Sequence, residues 1–196
     1  RPRYLAPKII TPLKDVNVKA GNNFTIDVEY IGSPDPNVDW FVDGSPLVSD
    51  DRTTVSAIAP ITTFHIVNCK RSDTGDIVIK LVNESGADKG GFYFNILDVP
   101  GPPTGPIEFD GIDHNSVTIS WKPPKDNGGS EITGYTIEKK DLDHAGGWVP
   151  AFTFEQYANL PARLTAFKNT LTLAPLGTLA ALIIAKTGAN AALFPV

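Results

Sequence analysis

The sequence has a single cysteine, Cys69, and no methionine among its 196 residues. One cysteine cannot form an internal disulfide, although small secreted β modules usually carry one. We therefore expect a protein of the reducing cytosol in which Cys69 fills the core, with a reactive or intermolecular thiol as the alternative. Because the chain begins at Arg1 without methionine or a visible signal peptide, it is expected to be a piece of a longer polypeptide.

The sequence also lacks the marks of a nucleic-acid-binding or membrane-spanning protein. It has 17 Lys and Arg against 22 Asp and Glu, a formal net charge of −5, which argues against a nucleic-acid partner. The apolar stretch 171–185 is shorter than the ~20 residues that span a bilayer, and Pro175 and Gly177 lie within it. Local propensity makes a helix the alternative for this stretch. The length of the second half favours two strands around a turn.

Motifs for catalysis and metal binding are absent. No phosphate-binding glycine loop is present, and the three histidines and Cys69 do not have the spacing of zinc ligands. Asp141, Asp143 and His144 are interpreted as a solvated loop rather than a cation site. We predict no catalytic, cofactor-binding or metal-binding residue, no cofactor and no small-molecule substrate, hence no enzyme. A catalytic triad assembled only by the fold is the remaining alternative. The histidines are His65, His114 and His144.

What the sequence does have is a proline-rich midpoint. Residues 97–106 contain four prolines and two glycines, a composition that predicts a stiff, extended connector without a ladder strand. Each flank is long enough for one compact β domain. We predict a first domain at 1–98, a linker at 99–106 and a second domain at 107–196.

The first half alternates apolar and polar residues in short segments. Residues 24–30 and 77–82 have the period of two that is typical of half-buried antiparallel strands. Trp40 shares one face with Val38 and Val42, and Asp43-Gly44 predicts a hairpin turn. Short strands at this spacing predict a sandwich of two sheets around Trp40. His65, between Phe64 and Ile66, is expected to face solvent.

Two motifs carry a family resemblance in this half, Trp40-Phe41-Val42-Asp43-Gly44 and Arg71-Ser72-Asp73-Thr74-Gly75. With them, residues 7–98 resemble an immunoglobulin domain of the intermediate set. The resemblance places the usual cysteine pair at Val28 and Ile79 and the corner tyrosine at Ile77, and it implies that aliphatic packing replaces the disulfide. It also pairs Arg52 with Asp73 in a salt bridge, with two separately solvated charges as the alternative.

A different set of motifs lies in the second half, and with them the chain resembles a fibronectin type III domain. The combination is most similar to the type III domains of the giant muscle proteins titin, twitchin and projectin, and residues 141–150 favour the twitchin and projectin branch. The resemblance implies core positions at Ala180, Leu182 and Ile184 after a Gly177-Thr178 step, and we interpret 122–129 as a long turn that cannot pair. The motifs are Pro102-Pro103, Ser120-Trp121, Pro123-Pro124, Asp126-Asn127-Gly128-Gly129 and Gly134-Tyr135-Thr136-Ile137-Glu138-Lys139.

The predicted fold class is all-β, with two antiparallel β-sandwiches in tandem. By resemblance, the domain at 1–98 is immunoglobulin-like and the domain at 107–196 is fibronectin type III-like. The resemblance implies a structural segment of a giant filament protein in the cytoplasm, bound to the myosin thick filament in the A-band of the sarcomere and to neighbouring modules of its own chain. Solvent-facing Tyr93, Val78 and Val82 are candidate contacts. The alternative function is an extracellular adhesion or receptor fragment, for which the glycosylation patterns at Asn23 and Asn83 are the evidence.

Overall fold

The computed structural model describes residues 4–113, 116–141, 146–155, 169–173 and 179–187. Every regular element in this part of the chain is a strand, apart from one turn of 3-10 helix at Arg71–Asp73. The chain divides into two compact units, Arg1–Asp98 and Val99–Val196, which we call the first and second modules. The predicted all-β class is confirmed.

The first module is a sandwich of a four-stranded and a five-stranded sheet. The strand orders are β1-β3-β7-β6 and β2-β9-β8-β4-β5, and the β2–β9 pair is parallel whereas the other neighbours are antiparallel. The strands are β1 Leu5–Ile9, β2 Val16–Lys19, β3 Phe24–Ser33, β4 Asn37–Val42, β5 Ser45–Pro46, β6 Thr53–Ile58, β7 Ile61–Ile66, β8 Gly75–Asn83 and β9 Gly86–Leu97.

Alternation along these strands sends one apolar row from each sheet into a shared core. Val28 and Ile79, at the positions expected for a cysteine pair, are both 0% exposed, and Ile77 is 1% exposed. Trp40 packs on Phe64 with ring centroids 5.7 Å apart. Aliphatic and aromatic side chains therefore fill the space in which the family usually has a disulfide. The other fully buried core residues are Tyr30, Ile66, Cys69, Leu81, Phe92, Phe94 and Ile96.

Strand β6 was not predicted from the sequence, and its outer edge is covered by the loop that precedes it. The Asp50 carboxylate accepts the Thr53 N–H at 2.6 Å, and the Asp50 N–H donates to the Thr53 carbonyl at 2.9 Å. Ser49 Oγ accepts the Val55 N–H at 3.4 Å. Because an open edge strand invites pairing with another chain, this loop protects the uncharged segment 53–58.

The second module contains two three-stranded antiparallel sheets, ordered β10-β11-β14 and β13-β12-β15. The predicted pair of strands in 171–185 is confirmed, since β14 and β15 occupy its two ends in different sheets. Gly177-Thr178 lies outside the described residues. No helix in the described part of the chain is long and apolar enough to cross a membrane. The strands are β10 Pro103–Asp113, β11 Ser116–Pro124, β12 Ile132–Asp141, β13 Val149–Glu155, β14 Asn169–Leu173 and β15 Leu179–Thr187.

Two proline-containing segments pair although the sequence predicted that they would not. Strand β10 begins at Pro103, inside the predicted linker 99–106, and β11 continues to Pro124, so that Pro103 lies opposite Pro124. Thr104 Oγ1 donates to the Pro123 carbonyl at 2.7 Å. The β14 pairing with β11 ends at Trp121, so beyond that residue β11 needs hydrogen bonds on one side only, where proline is tolerated.

Trp121 and Tyr135 form the described core of the second module, with ring centroids 5.4 Å apart, next to Ile137 at 0% exposure. The register places Ile183 opposite Ile137 and Ala185 opposite Tyr135. The expected core positions Ala180, Leu182 and Ile184 belong to the alternate set, with Leu182 opposite Glu138 and Ile184 opposite Thr136. The assignment of Ala180, Leu182 and Ile184 to the core stays a prediction.

Candidate functional site

No metal-binding cluster occurs in the part of the chain that the structure describes. No group of three or more His, Cys, Asp and Glu side chains there could hold a metal ion. His65 is half-buried on the outer face of its sheet, where its Nδ1 lies 2.6 Å from Thr25 Oγ1. His114, Asp143 and His144 lie outside the described residues. The candidate function therefore has to be sought on the surfaces of the modules.

The predicted Arg52–Asp73 salt bridge is confirmed as a two-pronged ion pair. Arg52 Nη1 and Nη2 each donate to one carboxylate oxygen of Asp73 at 2.8 Å. The Lys70 N–H donates to the same carboxylate at 2.7 Å. The hydrogen bonds from Arg52 are the largest cause of a lowered pKa for Asp73, and the Lys70 N–H lowers this pKa further. Burial of the carboxylate acts in the opposite direction and raises it. The pair borders a pocket of about 280 Å³ whose inner wall includes Phe64 and Phe94.

The Cys69 thiol lies in the core at 1% exposure, as predicted. Burial raises its pKa, and the nearby Asp73 carboxylate raises it further. A reactive thiol needs a lowered pKa and access to solvent, and Cys69 has neither. The alternative of a reactive or intermolecular thiol is therefore disfavoured.

The three candidate contact residues that the sequence suggested lie on the outer face of the five-stranded sheet. Tyr93 is 44% exposed, whereas Val78 and Val82 are half-buried. Val78 lies between Phe41 on β4 and Gly91 on β9. Together with Lys80 and Lys89, the residues Phe41, Val78 and Tyr93 define what we call the β8–β9 face.

Two lysines stand directly opposite each other on the β8–β9 face. Lys80 pairs with Lys89 on one side and with Asp39 on the other, and all three side chains are exposed. Like charges directly opposite across two strands are destabilising. The described residues Asp39, Lys80 and Lys89 take part in no ion pair within 4.0 Å, so Asp39 does not neutralise the lysines by direct contact. The face thus offers two unpaired positive charges beside apolar surface.

A second surface was missed by the sequence reasoning. It consists of Leu5, Ile31, Ile58 and Ile61, which are 47%, 41%, 80% and 43% exposed, and we call it the isoleucine patch. Ile58 pairs with Ile61 at the end of the β6–β7 hairpin. The sequence signal for this surface was the run Ile58-Ala59-Pro60-Ile61, in which two isoleucines flank a proline-containing turn. The alternation of apolar and polar residues did not show that a hairpin ends there.

Comparison with known proteins identifies both modules. The profile of the immunoglobulin I-set domain matches residues 7–96, and that of the fibronectin type III domain matches residues 101–176. The chain is an immunoglobulin I-set domain followed by a fibronectin type III domain. Modules of these two kinds in titin-like and myosin-binding protein C-like proteins are non-catalytic and structural.

The relatives of this I-set and type III tandem are muscle proteins. It is 32% identical over 124 residues to fast-type myosin-binding protein C of Mus musculus, a match covering 63% of this chain and 11% of that protein. It is 32% identical over 146 residues to a titin homolog of Caenorhabditis elegans, covering 71% of this chain and 1% of that protein. The tandem thus spans a small part of each relative. The predicted placement nearest twitchin and projectin stays a prediction.

A solved structure shows the same fold. The crystal structure of domains A168-A170 from titin superposes with a TM-score of 0.51 at 22% identity, over 94% of this chain and 62% of that one.

In the I-set domain, each residue of the family motif Asp73-Thr74-Gly75 has a different structural role. Asp73 forms the ion pair described above, and Thr74 Oγ1 accepts the Ile96 N–H at 3.0 Å. A Cβ at Gly75 would lie 2.6 Å from the Asp43 carboxylate, which itself accepts the Asp76 N–H at 2.8 Å. The motif therefore fastens the beginning of β8 to its surroundings.

The two glycosylation patterns differ in their structural setting. The Asn83 amide donates to the Leu5 carbonyl at 2.8 Å and to the Pro34 carbonyl at 2.9 Å, which uses both of its hydrogens. A glycan on that nitrogen would remove one of these bonds. Asn23 is exposed and its Oδ1 accepts the Asn68 N–H at 2.9 Å, which leaves its amide nitrogen out of that bond. Asn83 therefore does not support the extracellular alternative.

Proposed function

We propose that this tandem is a structural segment of a larger sarcomeric filament protein and that it binds along the myosin thick filament in the A-band. The observation that carries the proposal is the relationship, across both modules, to myosin-binding protein C and to the titin homolog. A role in sarcomere organisation and elasticity follows for modules of this kind joined in series. The proposal includes domains at 1–98 and 107–196 with the stiff connector 99–106 between them, of which residues 103–106 also form the beginning of β10.

A cytoplasmic location forms part of the same proposal. The first module is held by aliphatic packing at Val28 and Ile79, and its one thiol, Cys69, is buried and unpaired. Such a core needs no oxidising compartment, because it gains nothing from disulfide formation. The engaged amide of Asn83 agrees with a chain that carries no glycan there.

The β8–β9 face is the surface that we assign to the filament. Its unpaired Lys80 and Lys89 suit an acidic stretch of a coiled coil, and Val78 and Tyr93 add apolar contact area. Individually such contacts are weak, since exposed ion pairs contribute about 0.2–1 kcal/mol each. When several modules of one chain lie along a filament, binding of one module raises the effective concentration of the next. The weak contacts of the modules then add up to a higher overall affinity.

The test is co-sedimentation of several tandem copies with filaments reconstituted from purified myosin rod. We expect binding that decreases as salt rises, because the contacts are largely between exposed charges. The double substitution Lys80→Glu and Lys89→Glu should reduce the pelleted fraction. The matched control, Lys8→Glu with Lys14→Glu, makes the same charge change at exposed positions off this face and should not. Pelleting no greater than that of an unrelated β-sandwich protein would refute thick-filament binding.

A further inference from the structure

The isoleucine patch surrounds a pocket at one end of the first module. The pocket has a volume of about 300 Å³, and its lining includes Leu5, Ile31, Ala59 and Pro60. Ile58 and Ile61 directly flank the lining pair Ala59-Pro60, which places the most exposed isoleucine at the rim. An exposed cluster of large apolar side chains around a concavity is typical of a binding site.

One carboxylate stands in the wall of this pocket. Asp35 is exposed and lines the pocket together with Tyr30, whose pKa is raised by burial and by the nearby Asp35 charge. Among the described residues Asp35 takes part in no ion pair. Among the described residues, Glu29 lies opposite Ile61 and adds a second acidic group, and Lys8 lies opposite Ile31. The described border of the pocket therefore carries two acidic groups and one basic group.

We propose that the isoleucine patch docks a short segment of a partner polypeptide in which an apolar side chain stands next to a lysine or arginine. The apolar side chain enters the pocket between Leu5 and Ile31, and the neighbouring cation pairs with Asp35. A pocket of about 300 Å³ accommodates one large side chain with part of its backbone. This site is separate from the β8–β9 face and does not depend on thick-filament binding.

The acidic groups at the patch favour a basic partner segment over a second copy of the chain. A two-fold dimer through the patch would be isologous, so that the Asp35 carboxylates of both copies would lie in one interface. Like charges brought together in an interface oppose association. A basic segment instead neutralises Asp35 and covers the exposed isoleucines at the same time.

The experiment selects short peptides from a random phage-displayed library on the complete chain, with the Ile58→Ser variant used for counter-selection. Ile58 is 80% exposed, so its replacement should leave the fold intact. We expect the enriched peptides to share an apolar residue adjacent to Lys or Arg. The affinity of one such synthetic peptide, measured by fluorescence anisotropy, should fall about tenfold with Ile31→Ser or Ile58→Ser.

Substitution of Asp35 by asparagine tests the charge separately. Asp35→Asn should weaken the same peptide by about threefold to tenfold at low salt, and the difference should shrink at high salt. The control is Val48→Ser, which replaces an apolar residue of 83% exposure in the loop between β5 and β6, outside the patch. It should leave the affinity unchanged.

Several outcomes would overturn the proposal. One is that the enriched peptides contain no basic residue. Another is that neither Ile31→Ser nor Ile58→Ser changes the affinity of the peptide. A third is that no peptide is enriched over the counter-selected variant. Self-association of the chain that Ile58→Ser abolishes in sedimentation velocity would assign the patch to a second copy. Protection of Ile58 by an adjoining domain in a longer piece of the parent protein would assign it to a contact between modules.

Discussion

Trp40 Nε1 donates a 2.9 Å hydrogen bond to Thr62 Oγ1, and this bond joins the two sheets of the first module through its core. Thr62 is 0% exposed and its hydroxyl donates in turn to the Ser56 carbonyl at 2.8 Å. Trp40 lies on β4 and Thr62 on β7, so a polar contact spans the place where the sequence led us to expect apolar packing alone. It fixes the indole at one depth and orientation.

Replacing Thr62 by valine should destabilise the first module by about 1–3 kcal/mol. Valine keeps the shape but removes the acceptor, and the buried indole N–H is then left without its partner. Urea unfolding of the first module, followed by far-ultraviolet circular dichroism and tryptophan fluorescence, measures the change. Thr54→Val, at an exposed position of β6, is the matched control and should alter stability by less than about 0.5 kcal/mol. Equal effects of the two substitutions would show that the hydrogen bond contributes nothing.

Replacing Trp40 by alanine should unfold the first module and leave the second folded. Loss of a buried tryptophan costs about 3–5 kcal/mol, a large share of the stability of a small domain. The chain has 3 tryptophans, and the other two, Trp121 and Trp148, belong to the second module, so fluorescence of the variant reports that module alone. We expect its transition to persist while far-ultraviolet circular dichroism shows the first transition lost. A simultaneous loss of both signals would contradict separate cores.

Alternation sufficed to predict the core strands of the first module. In 77–82 and 24–30, every second side chain is apolar, and those side chains are the buried ones because a pleated strand presents alternate residues to one face. The same argument placed Trp40 with Val38 and Val42. The Arg52–Asp73 pair came from the family resemblance rather than from spacing, since the two residues meet only in the folded sandwich.

The features that escaped prediction depend on where neighbouring strands end. Proline at 103 and 124 can lie in paired segments because β14 stops at Trp121, a limit that no local pattern reveals. The register of β15 with β12 joins two distant segments, and a glycine-threonine step does not fix it. The exposure of Ile58 and Ile61 follows from their place at a hairpin end, because the same residues in mid-sheet would be partly covered.

Acid should weaken the first module through Asp73. The folded state lowers the pKa of Asp73 below its ordinary value, with the Arg52 hydrogen bonds as the largest cause, so the unfolded chain binds more protons in the acid range. The stabilisation is therefore present above the unfolded pKa and is lost as pH falls through it toward the folded value. Asp73→Asn should cost about 1–3 kcal/mol at neutral pH, because it removes a charge-assisted hydrogen-bonded pair.

The measurement is the unfolding free energy of wild type and Asp73→Asn as a function of pH. The difference between them should be constant at neutral pH and should shrink between about pH 5 and about pH 2. The pKa of Asp50 is also lowered, chiefly by the N–H groups of Thr53 and Arg52, and these hydrogen bonds are present in both proteins. Only the smaller effect of the Asp73 charge on Asp50 differs between them. Asp51→Asn is the control for loss of an exposed carboxylate nearby. A difference that does not change with pH would show that Asp73 acts by packing rather than by charge.

Asn83 should stabilise the first module by fastening β1 to the rest of the sandwich. Its amide bridges the carbonyls of Leu5 and Pro34, which lie 78 and 49 residues away along the chain. Asn83→Asp replaces the two donors by an oxygen that faces both carbonyls, so we expect a loss of about 1–3 kcal/mol in urea unfolding. Hydrogen exchange should also quicken first at β1, because local opening begins where backbone contacts are lost. Asn37→Asp makes the same chemical change at an exposed position and should be nearly neutral. If Asn83→Asp is as stable as Asn37→Asp, the bridge is dispensable, and the argument against a glycan at Asn83 fails with it.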